Sequence, residues 1–371
     1  MVWLGAAAVF VLFAGACCFL ALLIRYDMTP RAALYKISNR LGIDSKKVNP
    51  EEQYGPYKRL KPLRPGLQRP VLLNLETSDG SGQAVHPDVA YIGGGFGADK
   101  WTYWMACTPY PYGNAYHENP EIFASHDGTN WTVPSGLKNP QVPSLQRPGD
   151  HNSDPDILFY QNELWLFYRE TLRSKTPNEN RIFLLKSVDG IHWSPRMEVL
   201  SESQGKELLS PAVIHNGTCF VMWTIEIISG KLTLMRRCSS DGVYWMEPVQ
   251  GTLTGLQAPQ SVWHIDVIQE EEQLSAVLVS CVGMGGAGAK IHYAASKDGG
   301  LNWTVDDLQL EQNYEFESGF HYRASLRRRA EEENHYDLWY TAATQKRMYS
   351  IAYLRMVREG NKLLPICIGR T

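Results

Sequence analysis

The sequence lacks a large net charge, because 36 Lys and Arg residues nearly balance 39 Asp and Glu residues, for a formal charge of −3. Proteins that bind nucleic acid usually have a basic stripe, so this balance argues against a nucleic-acid partner. Cysteine pairs at metal-binding spacing are missing as well. Five cysteines lie outside the apolar N-terminus, an odd number without C-x-x-C spacing, which favours buried free thiols.

One segment lacks charged side chains altogether. Residues 2–24 form an uncharged run of 23 residues, which is long enough to cross a bilayer as a helix. The run has no basic start and is longer than the apolar core of a cleaved signal peptide, so we predict a retained transmembrane anchor at residues 1–24. Lys and Arg residues follow the run and none precedes it. This bias favours a single-pass membrane protein whose C-terminal part lies in the cytoplasm.

Residues 25–70 are basic and rich in proline. Basic residues outnumber acidic ones, and prolines stand at Pro50, Pro56, Pro62, Pro65 and Pro70. We interpret this segment as a juxtamembrane linker. From residue 71 onward, short runs of Val, Ile, Phe, Tyr and Trp alternate with Gly, Asn and Asp turns, without a long amphipathic helix. This pattern predicts a β-domain at residues 71–371.

A box of the form S-x-D-G-x-x-W recurs four times in this domain. The copies are Ser125–Trp131, Ser187–Trp193, Ser239–Trp245 and, with one extra residue, Ser296–Trp303. Their aspartates are 62, 52 and 57 residues apart, about one four-stranded sheet each. Asp can accept backbone N–H bonds in a turn, Gly permits a positive φ, and Trp packs between sheets. We therefore interpret the box as scaffold. N-glycosylation sequons at Asn130 and Asn302 are then by-products of it, and a third stands at Asn216.

A second phrase opens a strand upstream of each box and occurs once more near the C-terminus. It reads HPDVAY, DPDILFY, LSPAVI, HIDVI and HYRASL, beginning at His86, Asp154, Leu209, His264 and His321. Five such units predict an all-β, five-bladed β-propeller preceded by one N-terminal transmembrane helix. Because the fifth unit lacks a box, we predict that the apolar run at residues 71–75 supplies its outer strand and closes the ring.

The first strand of each propeller blade lines the central channel, and here its residues are unusually polar. Side chains two apart in a strand share a face, so acidic and imidazole groups should meet at one opening. The residues concerned are His86 and Asp88, Asp154 and Asp156, His264 and Asp266, and His321 and Arg323. Burial and like-charge repulsion should perturb their pKa values, as at an active site.

The long connection in blade one adds candidates for substrate binding. Tyr112, His117 and Glu118 lie in it, and His151 precedes the blade-two phrase. Aromatic rings are the usual platform for sugar rings, although the same residues could simply pack beneath a loop. The histidines could also bind a metal together with the aspartates, but no close ligand spacing supports one, so we predict neither a metal nor a cofactor.

With five blades and phrases of the DP type, the domain resembles glycoside hydrolases of families 43 and 32. The segment DPDILFYQNELWLFYRE, which begins at Asp154, is most similar to them. The resemblance implies an aspartate of blade one as base or nucleophile, an aspartate of blade two that orients the sugar, and a glutamate of blade three as acid. Asp154 matches this pattern. By contrast, His86 stands before the proline of blade one and Ser210 before that of blade three.

The resemblance thus implies a carbohydrate-active enzyme with an altered acid. The candidate catalytic carboxylates are Asp88 as base, Asp154 or Asp156 as the orienting group, and Glu226 or Asp266 as acid. Glu207 is a further candidate for the acid if the strand register slips. The predicted function is hydrolysis or transfer of glycosidic bonds in a glycan or glycoconjugate at a membrane.

Two alternatives remain open at this point. The missing acid of blade three favours a non-catalytic propeller that binds carbohydrate or a protein partner. A sialidase is a weaker match, because those enzymes have six blades and an arginine triad, and the phrases supply only Arg323.

Overall fold

The computed structural model describes residues 60, 67–145, 147–202, 207–283, 288–308, 310, 312–360 and 362–366. Within these residues the secondary structure consists of β-strands and single-turn 3₁₀ segments, so the all-β prediction is confirmed there. None of the helices found within these ranges is long and apolar enough to cross a bilayer. The predicted anchor and most of the predicted linker lie outside the described residues.

The strands form five sheets in chain order, which confirms the predicted five-bladed propeller. Blade one contains β2 (Ala84–Phe96), β3 (Trp101–Pro109) and β4 (Glu121–Ser125). Blade two contains β5 (His151–Tyr160), β6 (Glu163–Leu172), β7 (Glu179–Ser187) and β8 (Met197–Glu202). Blade three contains β9 (Leu208–His215), β10 (Phe220–Ile228), β11 (Lys231–Ser239) and β12 (Val249–Gln250).

The remaining two blades follow the same order. Blade four contains β14 (Gln260–Gln269), β15 (Leu274–Val282), β16 (Lys290–Ser296) and β17 (Asn302–Asp307), with β13 (Thr252–Thr254) parallel to β17 at its outer edge. Blade five contains β18 (Phe320–Arg328), β19 (His335–Ala343) and β20 (Tyr349–Glu359).

The outer edge of blade five is shared by the two ends of the domain. β1 (Val71–Leu72) pairs antiparallel with β20, with Val71 opposite Tyr353. β21 (Lys362–Pro365) pairs with the same strand further along. Leu73 and Leu75, which follow β1, are buried in the core. The prediction that residues 71–75 close the ring is therefore confirmed.

Each S-x-D-G-x-x-W box forms a turn after the third strand of its blade. In the first box, Asp127 accepts hydrogen bonds from the N–H groups of Thr129 and Asn130 at 2.7 and 2.8 Å. Equivalent bonds recur in the other boxes, at Asp189, Asp241 and Asp298. The side chain thus satisfies backbone donors of its own turn, and the interpretation of the box as scaffold is confirmed.

The box glycine also packs against a tryptophan of the preceding blade, a contact that sequence reasoning missed. Gly190 has a φ of 78°, and a Cβ built on it would lie 2.1 Å from Cη2 of Trp104 in β3. The other pairs are Gly242 with Trp165, Gly300 with Trp223, and Gly128 with Trp339. The second strand of blade four has no tryptophan, and the blade that follows it has no box. A tryptophan in the second strand of one blade therefore occurs together with a box in the blade that follows it.

The strand directions define two faces of the propeller. We call the face where the first strands begin the pocket face; it includes His86, Asp154 and His264. The second strand of each blade runs antiparallel to the first, and the third antiparallel to the second. Because the boxes follow the third strands, all four lie at the opposite end, which we call the base.

The packing of box glycine against tryptophan predicts that Gly190→Ala destabilises the domain. The added Cβ would lie 2.1 Å from Trp104, at a left-handed backbone position. The overpacked Cβ and the cost of a left-handed backbone conformation at alanine should together lower the free energy of unfolding by about 2–5 kcal/mol. Urea denaturation measures this loss. Gly230→Ala is the matched control, because Gly230 has a φ of 75° and no neighbour within 4 Å. Equal losses in the two variants would contradict the contact.

Ring closure predicts that Leu73→Ala destabilises all five blades together. Leu73 is 2% exposed, and its N–H donates to the carbonyl oxygen of Ile351 in blade five at 2.9 Å. Truncating a buried leucine costs about 2–5 kcal/mol, so the whole domain should melt at a lower temperature in one calorimetric transition. Val71→Ala, at a 38% exposed position, should change the melting temperature little. A separate early transition for one blade would argue against closure by the N-terminal strand.

Candidate active site at the propeller axis

A β-bulge near the start of each first strand turns polar side chains toward the propeller axis. The register between first and second strands shifts at this point in all five blades. His86, Asp154 and Ser210 have φ values of 57°, 52° and 52°, and each precedes a proline. Bulges that re-aim side chains and left-handed non-glycine residues are both enriched at functional sites. The bulges therefore indicate a candidate functional site at the propeller axis.

Two of these residues, His86 and Asp154, line a pocket of about 560 Å³ on the pocket face. It is lined by His86, Tyr110, Ala115, Glu118, Gly149, His151, Asp154, Arg169, Arg173, Glu207, Leu209, Ile227, Trp263, His264 and Tyr322. A volume of this order is typical of sites for small molecules. Four predicted substrate-binding residues come together here, namely His86, Glu118, His151 and His264.

Asp154 is the buried carboxylate of the pocket floor. Its Oδ2 accepts a hydrogen bond from Ser210 N at 3.3 Å and lies 3.2 Å from Arg169 Nε. Its Oδ1 has no hydrogen-bond partner in the described part of the chain, and lies 3.3 Å from His86 Nε2 and 3.7 Å from His264 Nδ1. Burial alone would raise the pKa of Asp154, but the guanidinium charges of Arg169 and Arg323 hold it well below its ordinary value. The carboxylate is therefore ionised.

The two histidines beside Asp154 are buried and uncharged at neutral pH. Burial lowers the pKa of His86 to about 3 and that of His264 well below its ordinary value, in both cases against the attraction of Asp154. His86 Nδ1 lies 3.1 Å from Thr108 Oγ1, and His264 Nε2 lies 2.8 Å from Tyr322 Oη. These outer contacts orient the rings so that His86 Nε2 and His264 Nδ1 face the carboxylate.

His86, Asp154 and His264 form a group that fits a divalent metal ion, and we call them the pocket trio. One ligand atom from each lies within 4.8 Å of the others. Two neutral imidazoles and one carboxylate are donors that zinc and related ions prefer. His264 Nδ1 and Asp154 Oδ1 are buried without a hydrogen-bond partner among the described residues, as metal ligands would be. The three come from blades one, two and four, so close spacing in the sequence could not indicate them.

The pocket wall beside the trio contains an acid whose pKa is raised and an imidazole whose pKa is lowered. Burial raises the pKa of Glu118 well above its ordinary value, and the charge of Asp154 adds to this effect. Burial and the charge of Arg169 lower the pKa of His151 to about 4. Glu118 Oε2 lies 4.0 Å from His151 Nε2, and His151 Nδ1 lies 3.0 Å from the carbonyl oxygen of Gly149. The wall thus combines a carboxyl group of raised pKa with an imidazole of lowered pKa, and Arg169 Nη2 lies 3.5 Å from His151 Nε2.

A second set of carboxylates lies one step deeper along the same strands. Asp88, Asp156 and Asp266 each accept a hydrogen bond from a backbone N–H of the next blade in the ring: Ile157 at 2.5 Å, Val213 at 3.2 Å and Leu326 at 2.9 Å. Between the last blade and the first, Val89 N donates to Ser325 Oγ at 3.1 Å. We call Asp88, Asp156, Asp266 and Ser325 the lower ring. Its hydrogen bonds join neighbouring blades.

Charge in the lower ring is balanced by an arginine and a retained proton. Arg327 lies 2.9 Å from Asp88 and 3.0 Å from Asp266. Burial raises the pKa of Asp156 well above its ordinary value, and the charges of Asp88 and Asp266 add to this effect. Burial also raises the pKa of Asp266, to about 6, against the attraction of Arg327. Asp156 is therefore the protonated member of the ring.

The predicted catalytic carboxylates thus lie in three places. Asp154 lines the pocket, whereas Asp88, Asp156 and Asp266 lie beneath it in the lower ring. Glu226 is outside the pocket lining, where Thr224 Oγ1 donates to it at 2.8 Å and Arg237 forms an ion pair with it. The predicted catalytic roles stay predictions, and the surroundings of Asp154 favour it for chemistry.

Four predicted substrate-binding residues are not among the residues that line the pocket. They are Tyr112, His117, His321 and Arg323. His321 Nε2 lies 3.2 Å from Glu317 Oε2, and its neighbour Tyr322 lines the pocket instead, so the blade-five phrase was aligned one residue too early. Arg323 is fully buried beneath the floor, with Nη1 3.8 Å from Asp154 Oδ1. It contacts the site from below.

Sequence reasoning missed four side chains of the pocket, namely Arg169, Arg173, Trp263 and Tyr322. Arg169 stands in the segment that carries the family resemblance, but a position on a second strand gave no reason to expect it at the axis. Trp263 and Tyr322 directly follow or precede phrase histidines. Trp263 Nε1 donates to Tyr322 Oη at 2.8 Å. An aromatic residue next to two of the three phrase histidines, His264 and His321, was the available signal.

Comparison with known proteins finds similarity in sequence to one curated protein and in fold to several solved structures. No protein-family model matches the chain. An A type blood N-acetyl-α-D-galactosamine deacetylase of Flavonifractor plautii is 24% identical over an alignment of 286 residues, and the match covers 64% of this chain and 36% of that protein. The chain thus spans about a third of the length of this relative.

Several solved structures share the propeller fold although their sequence identity to this chain is low. An N-acetylgalactosamine deacetylase from F. plautii, in complex with blood group B trisaccharide, has a TM-score of 0.68 at 20% identity, covering 78% of this chain and 94% of its own. A thermostable family-43 glycoside hydrolase has a TM-score of 0.57 at 12% identity, covering 78% and 95%. A family-32 β-fructofuranosidase of Bombyx mori has 0.55 at 12%, covering 80% and 64%. The predicted resemblance to families 43 and 32 is confirmed.

The proton on Asp156 predicts a pH-dependent difference in stability between the wild-type protein and Asp156→Asn. A raised pKa means that the folded protein holds a proton which the unfolded chain releases above about pH 4. The stability from this proton is complete below that pH and is lost as the pH rises toward the folded pKa. The free energy of unfolding of the wild type should therefore fall relative to Asp156→Asn from about pH 4 upward in urea titrations.

Asp241→Asn provides a control of opposite sign. Backbone hydrogen bonds from Tyr244 and Val243 lower the pKa of Asp241, so its contribution to stability is present above its unfolded pKa and is lost as the pH falls. Parallel pH profiles for the wild type and Asp156→Asn would contradict a proton on Asp156.

Proposed function

We propose that the protein is a carbohydrate-active hydrolase that removes the acetyl group from an N-acetylated sugar in a glycan or glycoconjugate. The observation that carries this proposal is the pocket trio, whose ligand atoms lie within 4.8 Å of one another, and in which His264 Nδ1 and Asp154 Oδ1 are buried without a hydrogen-bond partner among the described residues. Likeness to N-acetylgalactosamine deacetylases, in sequence and in fold, supports the same reaction.

The pocket trio would hold a divalent metal ion. Such an ion, when bound, lowers the pKa of a water molecule and polarises a carbonyl oxygen. His86 would bind through Nε2 and His264 through Nδ1, because their other ring nitrogens face Thr108 and Tyr322. Both rings are already neutral and Asp154 is already ionised, so no ligand has to lose a proton at neutral pH.

The remaining pocket residues fit the proton transfers of amide hydrolysis. Hydrolysis of an acetamide adds water to the carbonyl carbon and releases acetate and an amine, so one group must accept a proton and another must donate one. We assign the acceptor to His151 Nε2, since its Nδ1 faces the carbonyl oxygen of Gly149. Burial raises the pKa of Glu118 well above its ordinary value, so we assign to Glu118 the proton that goes to the departing nitrogen. Trp263 and Tyr110 would form the walls along a sugar ring.

A glycosidase is the second candidate, and one observation favours it. The pKa of Glu118 is raised and that of Asp154 is lowered within the same pocket, and such a separation is typical of the acid and the carboxylate of glycoside hydrolysis. Against this assignment, Asp154 is 1% exposed, and its free oxygen faces two histidines at the pocket floor. A sugar carbon would have to displace the imidazoles to reach it.

The proposal predicts that the purified full chain releases acetate from glycosides of N-acetylhexosamines, including α-linked N-acetylgalactosamine, without releasing reducing sugar. A chelator should abolish the release, and added Zn²⁺ or another divalent ion should restore it. Asp154→Asn should lower kcat/KM about 100-fold or more, because the substitution removes an anionic ligand. Acetate and reducing ends are assayed in the same samples.

Asp241→Asn is the matched control, since it makes the same substitution in a box turn at the base. It should retain full activity, and the melting temperatures of both variants should show that they are folded. Release of reducing sugar without acetate would support the glycosidase. Binding of glycans without either product would support the non-catalytic alternative.

A further inference from the structure

We infer that the propeller is N-glycosylated at Asn130, Asn216 and Asn302, and that the three glycans project from the base, away from the pocket. This inference stands apart from the proposed hydrolase activity, because it depends on other residues at the other end of the molecule. It assigns the sequons a role beyond that of by-products of the repeated box.

All three sequons are accessible in the folded domain. The acceptor asparagines and the threonines two residues later are exposed in every case: Asn130 and Thr132, Asn216 and Thr218, and Asn302 and Thr304. The tryptophans that separate the pair at Asn130 and at Asn302 are buried, with exposed fractions of 9% and 1%. The turn therefore anchors itself through the middle residue and presents the two outer residues to solvent.

The blade topology puts the three sites at one end of the propeller. Asn130 and Asn302 stand in the boxes that follow the third strands β4 and β16. Asn216 stands in the turn between the first strand β9 and the second strand β10. First and third strands run away from the pocket face, so all three turns lie at the base. The three sequons of the chain thus all lie at the end opposite the pocket.

The hydrogen bonds of the turns are compatible with attached glycans. Asn130 Nδ2 donates to Asp127 Oδ2 at 2.6 Å, and Asn302 Nδ2 donates to Asp298 Oδ2 at 2.6 Å. An asparagine amide has two N–H donors, and one of them remains after glycosylation, so each bond can persist. At Asn216 the turn is held through Oδ1, which accepts from the N–H groups of Thr218 and Cys219.

The modification is a group transfer with a defined balance. The asparagine Nδ2 forms a bond to the anomeric carbon of an oligosaccharide carried on a polyprenyl diphosphate. The bond between that carbon and the diphosphate oxygen breaks, the lipid diphosphate leaves, and Nδ2 loses one proton. The donor is present on the lumenal side of a secretory membrane, so the inference places the propeller there and opposes the cytoplasmic orientation that the charge bias favours.

The position of the glycans has a consequence for the pocket. Bulky, solubilising chains at the base cover the end of the propeller where the box turns expose Val188, Tyr244 and Met246, with exposed fractions of 67%, 80% and 69%. The pocket face stays clear for a large substrate. Enzymatic removal of the glycans is therefore expected to leave ligand binding at the pocket unchanged.

The experiment expresses the full chain in a eukaryotic cell and treats it with peptide N-glycosidase. The enzyme should increase the electrophoretic mobility, and mass spectrometry should find aspartate at positions 130, 216 and 302. Thr132→Ala, Thr218→Ala and Thr304→Ala each remove one sequon and keep the asparagine with its hydrogen bonds. Each substitution should remove one glycan, and the triple variant should no longer respond to the enzyme.

Thr218→Ser is the matched control, because serine preserves the sequon, and this variant should keep the glycan at Asn216. Unchanged mobility of the wild type, with all three asparagines unmodified, would overturn the inference. Digestion of the propeller by a protease added to the cytoplasmic side of sealed microsomes would also overturn it. Neither result would bear on acetate release, so failure of this inference and failure of the proposed function can be told apart.

Discussion

Hydrogen bonds from the backbone of one blade to the lower-ring side chains of its neighbour are the contacts on which the rest of the structure depends. Five separate sheets meet at the axis, where unpaired backbone N–H groups would be costly. Asp88, Asp156 and Asp266 accept three of these donors, and Ser325 joins the last blade to the first. Because the lower ring fixes the first strands, the bulges above it can hold left-handed residues in place.

The same strands thus carry two layers of carboxylates with opposite electrostatics. Asp154 lies beside Arg169 and near two imidazoles, and its pKa is lowered. Asp156, two residues further along the strand, lies beside Asp88 and Asp266, and its pKa is raised. An ionised group with a free oxygen suits ligand binding, whereas a protonated group that accepts a backbone bond suits structure. Asp154 and Asp156 therefore suit different roles because they lie at different depths along the same strand.

The repeats made the fold predictable, because each box and each phrase reports a local turn or strand and five units determine the architecture. The site was only partly predictable. Alternation indicated which residues face the axis, but not that Asp154 and Asp156 lie in different surroundings, because that depends on residues from other blades. Arg169 and Tyr322 reach the pocket through strand register and bulges, which the sequence does not display. The error at His321 has the same origin, since a bulge shifts the phase of alternation.

Blade three explains why the pocket differs from one that needs two carboxylates. Ser210 stands before the proline of blade three, where the resemblance to glycoside hydrolases implied an acid, and its backbone N–H donates to Asp154 Oδ2 while its hydroxyl lies 3.5 Å from Ile265 N. A carboxylate there would stand beside Asp154 and compete with it for Arg169. With serine instead, the other oxygen of Asp154 stays free toward His86 and His264, which come from blades one and four. Serine in blade three and the imidazoles of blades one and four therefore act together, because they leave one carboxylate at this level with an oxygen free for a ligand.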